Sequence, residues 1–344
     1  MHRARGWKSN TCMTIKRLLA YALLGLAGSA VALGTLAVWR AEARQTGNRE
    51  ALAPQGGEFV DAGDAQVFMQ RSGDRAAPAV VFLHGTGSWS ETWRASMETA
   101  TSLGYQAIAF DMPPFGYSIP PQSGEYDKPQ QAARLRRALD NAGIRRAVFV
   151  AHSFGAAPLM EALLPMPDEG RVQALVLVDA ALGLEGAQGQ GDSMLQSLLR
   201  WRWVSQPLAA GLLTNPAYTE TLLKSFVSEK EKATPAWQQI YQQPLALEGS
   251  YQHVAAWLPE LLARRGHAAS DFTDAYGRIT WPVTLLWGEA DTITPLSQAE
   301  YLQRLIPGAQ IVRIPRAGHI PQIEEPELFQ QALARILREA KPGR

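Results

Sequence analysis

Ala151-His152-Ser153-Phe154-Gly155 is the stretch on which the reading of this chain turns. It follows the apolar run Ala147-Val148-Phe149-Val150 and precedes the helix-like stretch from Ala156 to Leu164. The pattern is a strand, a tight turn with serine at its apex, and a helix, with a small residue two positions to either side of the serine. A turn that sharp brings the two backbones so close that large side chains at 151 and 155 would collide. It also lifts the serine hydroxyl clear of the sheet, over the positive end of the helix dipole. Acyl transfer requires this arrangement, an exposed nucleophile beside a backbone N–H that can receive an oxyanion.

A serine so placed needs a histidine to take its proton and a carboxylate to orient that histidine. Val283-Thr284-Leu285-Leu286-Trp287 reads as a buried strand, and the loop from Gly288 to Pro295 places Asp291 just beyond its C-terminal end. Gln310 to Pro315 reads as a further strand. Its loop, Arg316-Ala317-Gly318-His319, presents a histidine ahead of Pro326 and the amphipathic helix Leu328 to Leu337. Ser153, Asp291 and His319 then all sit on loops at strand C-terminal ends, where open α/β sheets gather their chemistry. Ala174 to Val178 is another strand, and it ends at Asp179, a rival for the role of the acid. Phe59-Val60 and Gln66 to Met69 read as an antiparallel hairpin around Gly63-Asp64. Gln130 to Ala142 carries a helical pattern that stops at Gly143.

Two earlier strands carry further motifs. Ala79 to Leu83 runs into His84-Gly85-Thr86-Gly87, and Ala107 to Phe110 into Asp111-Met112-Pro113-Pro114-Phe115-Gly116-Tyr117-Ser118. The second loop resembles the aspartate-hydrophobic-Pro-Gly-aromatic-Gly-x-Ser loop of the α/β-hydrolase family. With the His84-Gly85 loop, the Ser153 elbow and the Asp291 and His319 loops in the right order, residues from about 58 to 340 resemble one α/β-hydrolase of the capped, serine-nucleophile, haloperoxidase- and esterase-like type. The resemblance implies a mostly parallel eight-stranded sheet flanked by helices, with a helical cap insertion. It implies a triad in the chain order Ser153, Asp291, His319, and an oxyanion hole from the main-chain N–H groups of Thr86 and Phe154. It favours Asp291 over Asp179, because Gly-x-x-Asp before Thr-x-Thr-Pro is the commoner pattern; Asp179 would then hydrogen-bond within the loop below the cap. The chain departs from the family at Ala151, where glycine is usual, and at Pro158, which falls early in the elbow helix and should open that turn slightly.

Length and composition agree. A chain of 344 residues with 46% hydrophobic residues can bury a sizeable core and suits a large sheet domain with an insertion. A net charge of +1 gives no reason to expect nucleic acid as a partner. The single cysteine, Cys12, precedes the folded region, so no disulfide framework or thiolate metal site is expected. His84 and His152 are motif residues, His253 and His267 lie in the insertion, and none has metal-ligand spacing. No GxGxxG follows a first strand, and no phosphate loop is present. No cofactor and no metal are expected.

Leu18 to Trp39 is uncharged and rich in Leu, Ala, Val and Gly, long enough as a helix to span about 30 Å of hydrocarbon. Arg3, Arg5, Lys8, Lys16 and Arg17 precede it, which puts the N-terminus in the cytoplasm and the rest of the chain on the far side. A cleaved signal peptide is the alternative, with Ala41-Glu42-Ala43 as the cleavage site and a secreted or periplasmic product. The apolar core is longer than the roughly 7–15 residues usual in signals, which favours an anchor. Gly47, Pro54, Gly56 and Gly57 make the segment after it a flexible tether. The chain thus divides into a basic segment 1–17, an apolar span 18–39, a linker 40–57, a core in two parts, 58–182 and 278–344, and a helical cap, 183–277.

In the cap, Gly183 to Gly191 is a glycine-rich entry, Tyr218, Leu222 and Phe226 form one apolar stripe, and Leu247, Tyr251, Val254, Leu258 and Leu261 another. Trp201, Trp203, Trp237 and Trp257 either fasten the cap to the sheet or line an apolar pocket. The expected partner is a small-molecule ester, with a small or medium apolar acyl group, cleaved through an acyl-enzyme. Two alternatives are a C–C bond hydrolase or lyase, for which Arg200, Arg202 and Lys224 are the cap's polar candidates, and a non-catalytic membrane-tethered binding module. Oligomeric state is not legible.

Overall fold

The computed structural model describes residues 7–165, 170–184, 193–263 and 268–341. Arg3, Arg5, His267 and the cap entry at 185–191 lie outside them. Two strands, β1 (Glu58–Asp61) and β2 (Gln66–Ser72), form the expected antiparallel hairpin. The others are β3 (Ala79–Leu83), β4 (Gln106–Phe110), β5 (Ala147–His152), β6 (Val172–Val178), β7 (Val283–Gly288) and β8 (Gln310–Ile314). They join in one 8-stranded sheet of order β1-β2-β4-β3-β5-β6-β7-β8. β2 meets β4 antiparallel, and every pairing from β4 to β8 is parallel.

The central strands read as unbroken apolar runs because both faces are covered, as parallel sheets require. Val81, Leu83, Phe149, Leu175 and Leu177 point to one side, against α4 (Lys128–Asn141), α5 (Ala156–Leu163) and α12 (Leu296–Leu305). Val80, Phe82, Val148, Val150 and Val176 point to the other, against α3 (Arg94–Ser102) and α14 (Pro326–Ala340). Pro158 leaves α5 regular. It sits in the helix's first turn, directly after the 3-10 turn Ser153–Gly155.

Between β6 and β7 lie α6 (Met194–Leu199), α7 (Arg202–Leu208), α8 (Thr219–Phe226), α9 (Pro235–Gln242) and α10 (Ser250–Trp257), followed by the short α11 (Thr273–Tyr276). The second stripe is broken in two: α10 ends at Trp257, a 3-10 turn takes over at Leu258, and Leu261 turns out to solvent.

At the N-terminus, α1 (Trp7–Ala43) is one continuous helix, and its segment Ala20–Ala43 is long and apolar enough to cross a membrane. The segment after it differs from the flexible tether that its glycines suggested. Tyr251 donates to Glu42 Oε1 at 2.9 Å, and Thr46 N–H to the Ala246 carbonyl at 2.9 Å. Glu248 N–H donates to the Gly47 carbonyl at 3.0 Å. Asn48 caps the short α2 (Arg49–Leu52), and the buried Arg49 donates to the Glu248 carbonyl. These backbone partners all lie in the cap, and sequence composition is blind to them. The remaining short helix, α13 (Pro321–Glu324), follows the histidine loop.

Candidate active site

Ser153 stands between β5 and α5 with φ at +47°, a left-handed conformation that a serine adopts only where its surroundings enforce it. The enforcement is visible in two glycines. A Cβ on Gly155 would lie 2.7 Å from the His84 carbonyl oxygen, and one on Gly85 would lie 2.5 Å from His152 Nδ1 and 3.3 Å from the Ser153 Cβ. The β3 loop is thereby pressed against the elbow, and Thr86 and Phe154 both line the cavity beside it.

Three elements bring the expected residues together. Ser153 Oγ lies 2.8 Å from His319 Nε2, and His319 Nδ1 lies 2.8 Å from Asp291 Oδ2. All three residues are buried. Asp291 Oδ1 accepts the N–H groups of Ile293 (2.7 Å) and Thr294 (3.0 Å), and Oδ2 accepts the Thr294 hydroxyl at 2.6 Å. Burial works to raise the Asp291 carboxyl, but the hydrogen bond and charge of His319, with Thr294, outweigh it and hold the group below the usual carboxylate range. An ionised Asp291 fixes the proton of His319 on Nδ1 and leaves Nε2 free to accept from Ser153.

Asp179 is adjacent, but its place differs from that of an orienting acid. Its Oδ1 accepts Gly288 N–H at 2.9 Å, and its Oδ2 has no N–H or O–H partner. Carboxylate oxygens of Asp179 and Asp291 and a ring nitrogen of His319 lie within 4.8 Å of one another. Burial, and then the charge of Asp291, push the Asp179 carboxyl well above the ordinary carboxylate range. The direct 2.8 Å hydrogen bond between Asp291 and His319 occupies the positions a metal would need from that trio.

The other motif residues shape the loops. His152 points its Nε2 to the His319 carbonyl at 2.7 Å and is pushed down to about 3, chiefly by burial, so it is a neutral strut. His84 is likewise neutral, pushed down to about 4 by burial; its Nε2 accepts Met112 N–H. Asp111 accepts the N–H groups of Ser90 (2.6 Å) and Tyr117 (2.7 Å), and burial pushes it up to about 7.

Glu324 was not legible as a site residue. Its buried carboxylate accepts the N–H groups of Gly318 (2.9 Å), Ile320 (3.1 Å) and Ser228 (2.7 Å), and the Ser228 hydroxyl at 2.9 Å. One carboxylate thus ties the histidine loop to the cap. The cap also accepts His319 N–H at the Phe226 carbonyl, 2.9 Å away, and lays the Phe226 ring 5.7 Å from the imidazole. An acidic residue five positions past the histidine was the available signal.

The cavity of about 1430 Å³ beside the elbow is walled by the cap. Phe115, Phe154 and Trp257 pack edge to face at 5.0–5.7 Å. Of the four cap tryptophans, Trp257 lines the cavity and Trp237 packs near Phe226. Trp201 and Trp203 do neither: they are 53% and 72% exposed. Arg200 and Arg202 line the cavity, whereas Lys224 pairs with Glu220 at 2.6 Å on the surface.

The sequence profile of the alpha/beta hydrolase fold matches residues 78–326, and the chain belongs to that family. It is 28% identical over 273 residues to a 2-hydroxymuconate semialdehyde hydrolase of Pseudomonas putida, a match covering 76% of this chain and 88% of the relative. A thermophilic esterase from Thermogutta terrifontis superposes with a TM-score of 0.66 at 23% identity, over 83% of this chain and 99% of the esterase. A membrane phospholipase A, described as a bacterial virulence factor, superposes with a TM-score of 0.65 at 23% identity, over 95% of this chain and 100% of that one. At these identities the structural matches establish the fold.

Proposed function

We propose that the protein is a serine hydrolase that cleaves carboxylic esters of apolar acids through an acyl-enzyme on Ser153. The observation that carries the reading is the unbroken relay from Ser153 Oγ through His319 to Asp291, 2.8 Å at each step. Ser153 Oγ attacks the ester carbonyl carbon while its proton passes to His319 Nε2. Asp291 holds the ring and stabilises the imidazolium. The main-chain N–H groups of Thr86 and Phe154 receive the oxyanion, each worth on the order of 3 kcal/mol. His319 then gives its proton to the departing alkoxide. Water attacks the acyl-serine, passes a proton to His319, and releases the acid and Ser153.

Phe154 and Trp257 at the cavity wall, with Phe115 packed against both rings, support an apolar acyl group. A panel of p-nitrophenyl esters from acetate to laurate tests the reading; absence of turnover across the whole panel would sink it. C–C bond hydrolysis is the second reading, favoured by Arg200 and Arg202 at the cavity wall, which can bind a carboxylate-bearing diketone. Turnover of such a diketone in preference to every ester would select it.

The helix α1 acts in this reading as an uncleaved membrane anchor, with the hydrolase outside the cytoplasm. Its long apolar stretch and the basic residues Lys16 and Arg17 ahead of it support this. Full-length protein should remain with membranes after alkaline carbonate. A soluble mature protein beginning near Arg44 would identify a cleaved signal instead.

A further inference from the structure

The cap carries an apolar surface for which the relay has no use. Met194, Leu195, Trp201, Trp203, Leu208 and Leu212 are all exposed, Met194 at 82% and Trp203 at 72%. Trp201 and Trp203 stack on each other at 5.4 Å, at an angle of 29°. Two stacked indoles facing water are costly unless something apolar covers them.

The position of α1 says what covers them. A Cβ on Gly34 of α1 would lie 3.2 Å from Pro207 Cβ of α7, and one on Gly211 would lie 3.4 Å from Ala37 Cβ. The cap therefore touches α1 within its apolar span, and small residues permit the close approach. Gly34 lies five residues inside the end of the Leu18–Trp39 stretch, about 7 Å along the axis at 1.5 Å per residue. With Trp39 at the membrane boundary, Pro207 is drawn that far below it. Trp203 stands four residues before Pro207, on the same face of α7, one turn away. The Glu42–Tyr251 hydrogen bond and the Arg44 donation to the Ala210 carbonyl fix the angle at which α1 leaves the cap.

The geometry points to this face, centred on Trp201 and Trp203, as a docking surface immersed in the interface of the same bilayer that holds α1, so that the cavity receives the acyl chain of a membrane lipid ester. Tryptophan is at home at that depth, its ring apolar and its N–H wet. Leu199 ends α6, Arg202 begins α7 and Arg200 lies between them; all three line the cavity, so its wall begins where the bilayer meets the cap. The inference rests on the anchor and ester readings above and adds the source of the substrate.

The test uses the full chain in phosphatidylethanolamine–phosphatidylglycerol vesicles. Trp201→Ser/Trp203→Ser should lower hydrolysis of a long-chain ester embedded in the vesicles at least tenfold, with p-nitrophenyl acetate turnover within twofold of wild type. Equal loss on both substrates, or loss on neither, overturns the docking. A second arm does not depend on activity. In a Cys12→Ser background, nitroxide labels replace Trp203 and, at the opposite end of the sheet, Arg145. The label at 203 should collide with oxygen in preference to a water-soluble nickel chelate, and the label at 145 the reverse. Water-like collisions at 203 refute the docking, and spin–spin broadening at 203 would assign the face to a second copy of the chain. If wild type hydrolyses neither ester, the ester reading fails alone, and the labels still decide where the face lies.

Discussion

At the sheet edge, Ser153, Asp291 and His319 each stand just past a strand whose hydrogen-bonded ladder sets its direction, and their side chains meet at 2.8 Å. In the cap, Trp203 and Trp257 stand on short helices joined by irregular turns, and one faces solvent while the other walls the cavity. The difference teaches what each kind of element determines. A strand buried on both faces leaves its loop only one place to go. A cap helix has several faces and several neighbours, and its sequence period does not say which neighbour it meets.

The comparison is most sharply tested at the two acids. Asp291→Asn should cost roughly 10⁴-fold in kcat, because the amide stabilises the wrong histidine tautomer. Asp179→Asn should cost less than tenfold, since Asp179 accepts Gly288 N–H, a bond an amide oxygen keeps, while Asp291 holds the His319 ring. Reversed effects would move the orienting acid to Asp179.

The seam between the two regions comes next. Glu324→Gln puts an amide where the histidine loop and the cap both donate, so some of those N–H groups lose their acceptor. A fall of ten- to hundredfold in kcat, with KM little changed, is expected for short esters. A KM effect alone would confine Glu324 to cap closure. In the cap itself, Trp257→Ala should raise KM for medium-chain esters several-fold and leave acetate turnover within about threefold. Equal changes for all chain lengths would remove Trp257 from the acyl pocket.

The smallest effect is on stability. Burial raises the Asp179 carboxyl in the fold, while the unfolded chain ionises it above its ordinary range, so wild-type stability falls as pH rises. Asparagine has no such loss. As pH rises above the ordinary carboxylate range, Asp179→Asn should gain on wild type in urea denaturation, by up to about 1.4 kcal/mol per pH unit. A gap that narrows with pH would mean that Asp179 is ionised in the fold.

The sheet was legible because its central strands are uninterrupted apolar runs punctuated by loops rich in Gly, Pro and Asp. The positions of β3, β5 and β7 follow from that alone. Ser153 and His319 were legible because their loops have a constrained composition. Glu324 was not, because what marks it is four donors, two on the histidine loop and two on Ser228, 96 positions away. The 40–57 stretch hides its contacts in a similar way: its glycines suggest freedom, but its partners Ala246, Glu248 and Tyr251 lie about 200 positions along the chain. Sequence periodicity could not tell Trp257 from Trp203 either. Each is a large apolar residue on a short helix, and only the placement of α1 and Phe154 separates their roles.

The central claim, that Ser153 is the nucleophile of an acyl-transfer site, is tested most directly by a fluorophosphonate. Full-length protein treated with the probe, digested and sequenced by mass spectrometry should carry a single adduct, on the peptide containing Ser153, with complete loss of ester turnover. Ser153→Ala should fold with an unchanged denaturation midpoint, within error, take no adduct and turn over no ester. An adduct on another residue, or turnover near wild type in the alanine variant, would contradict the account.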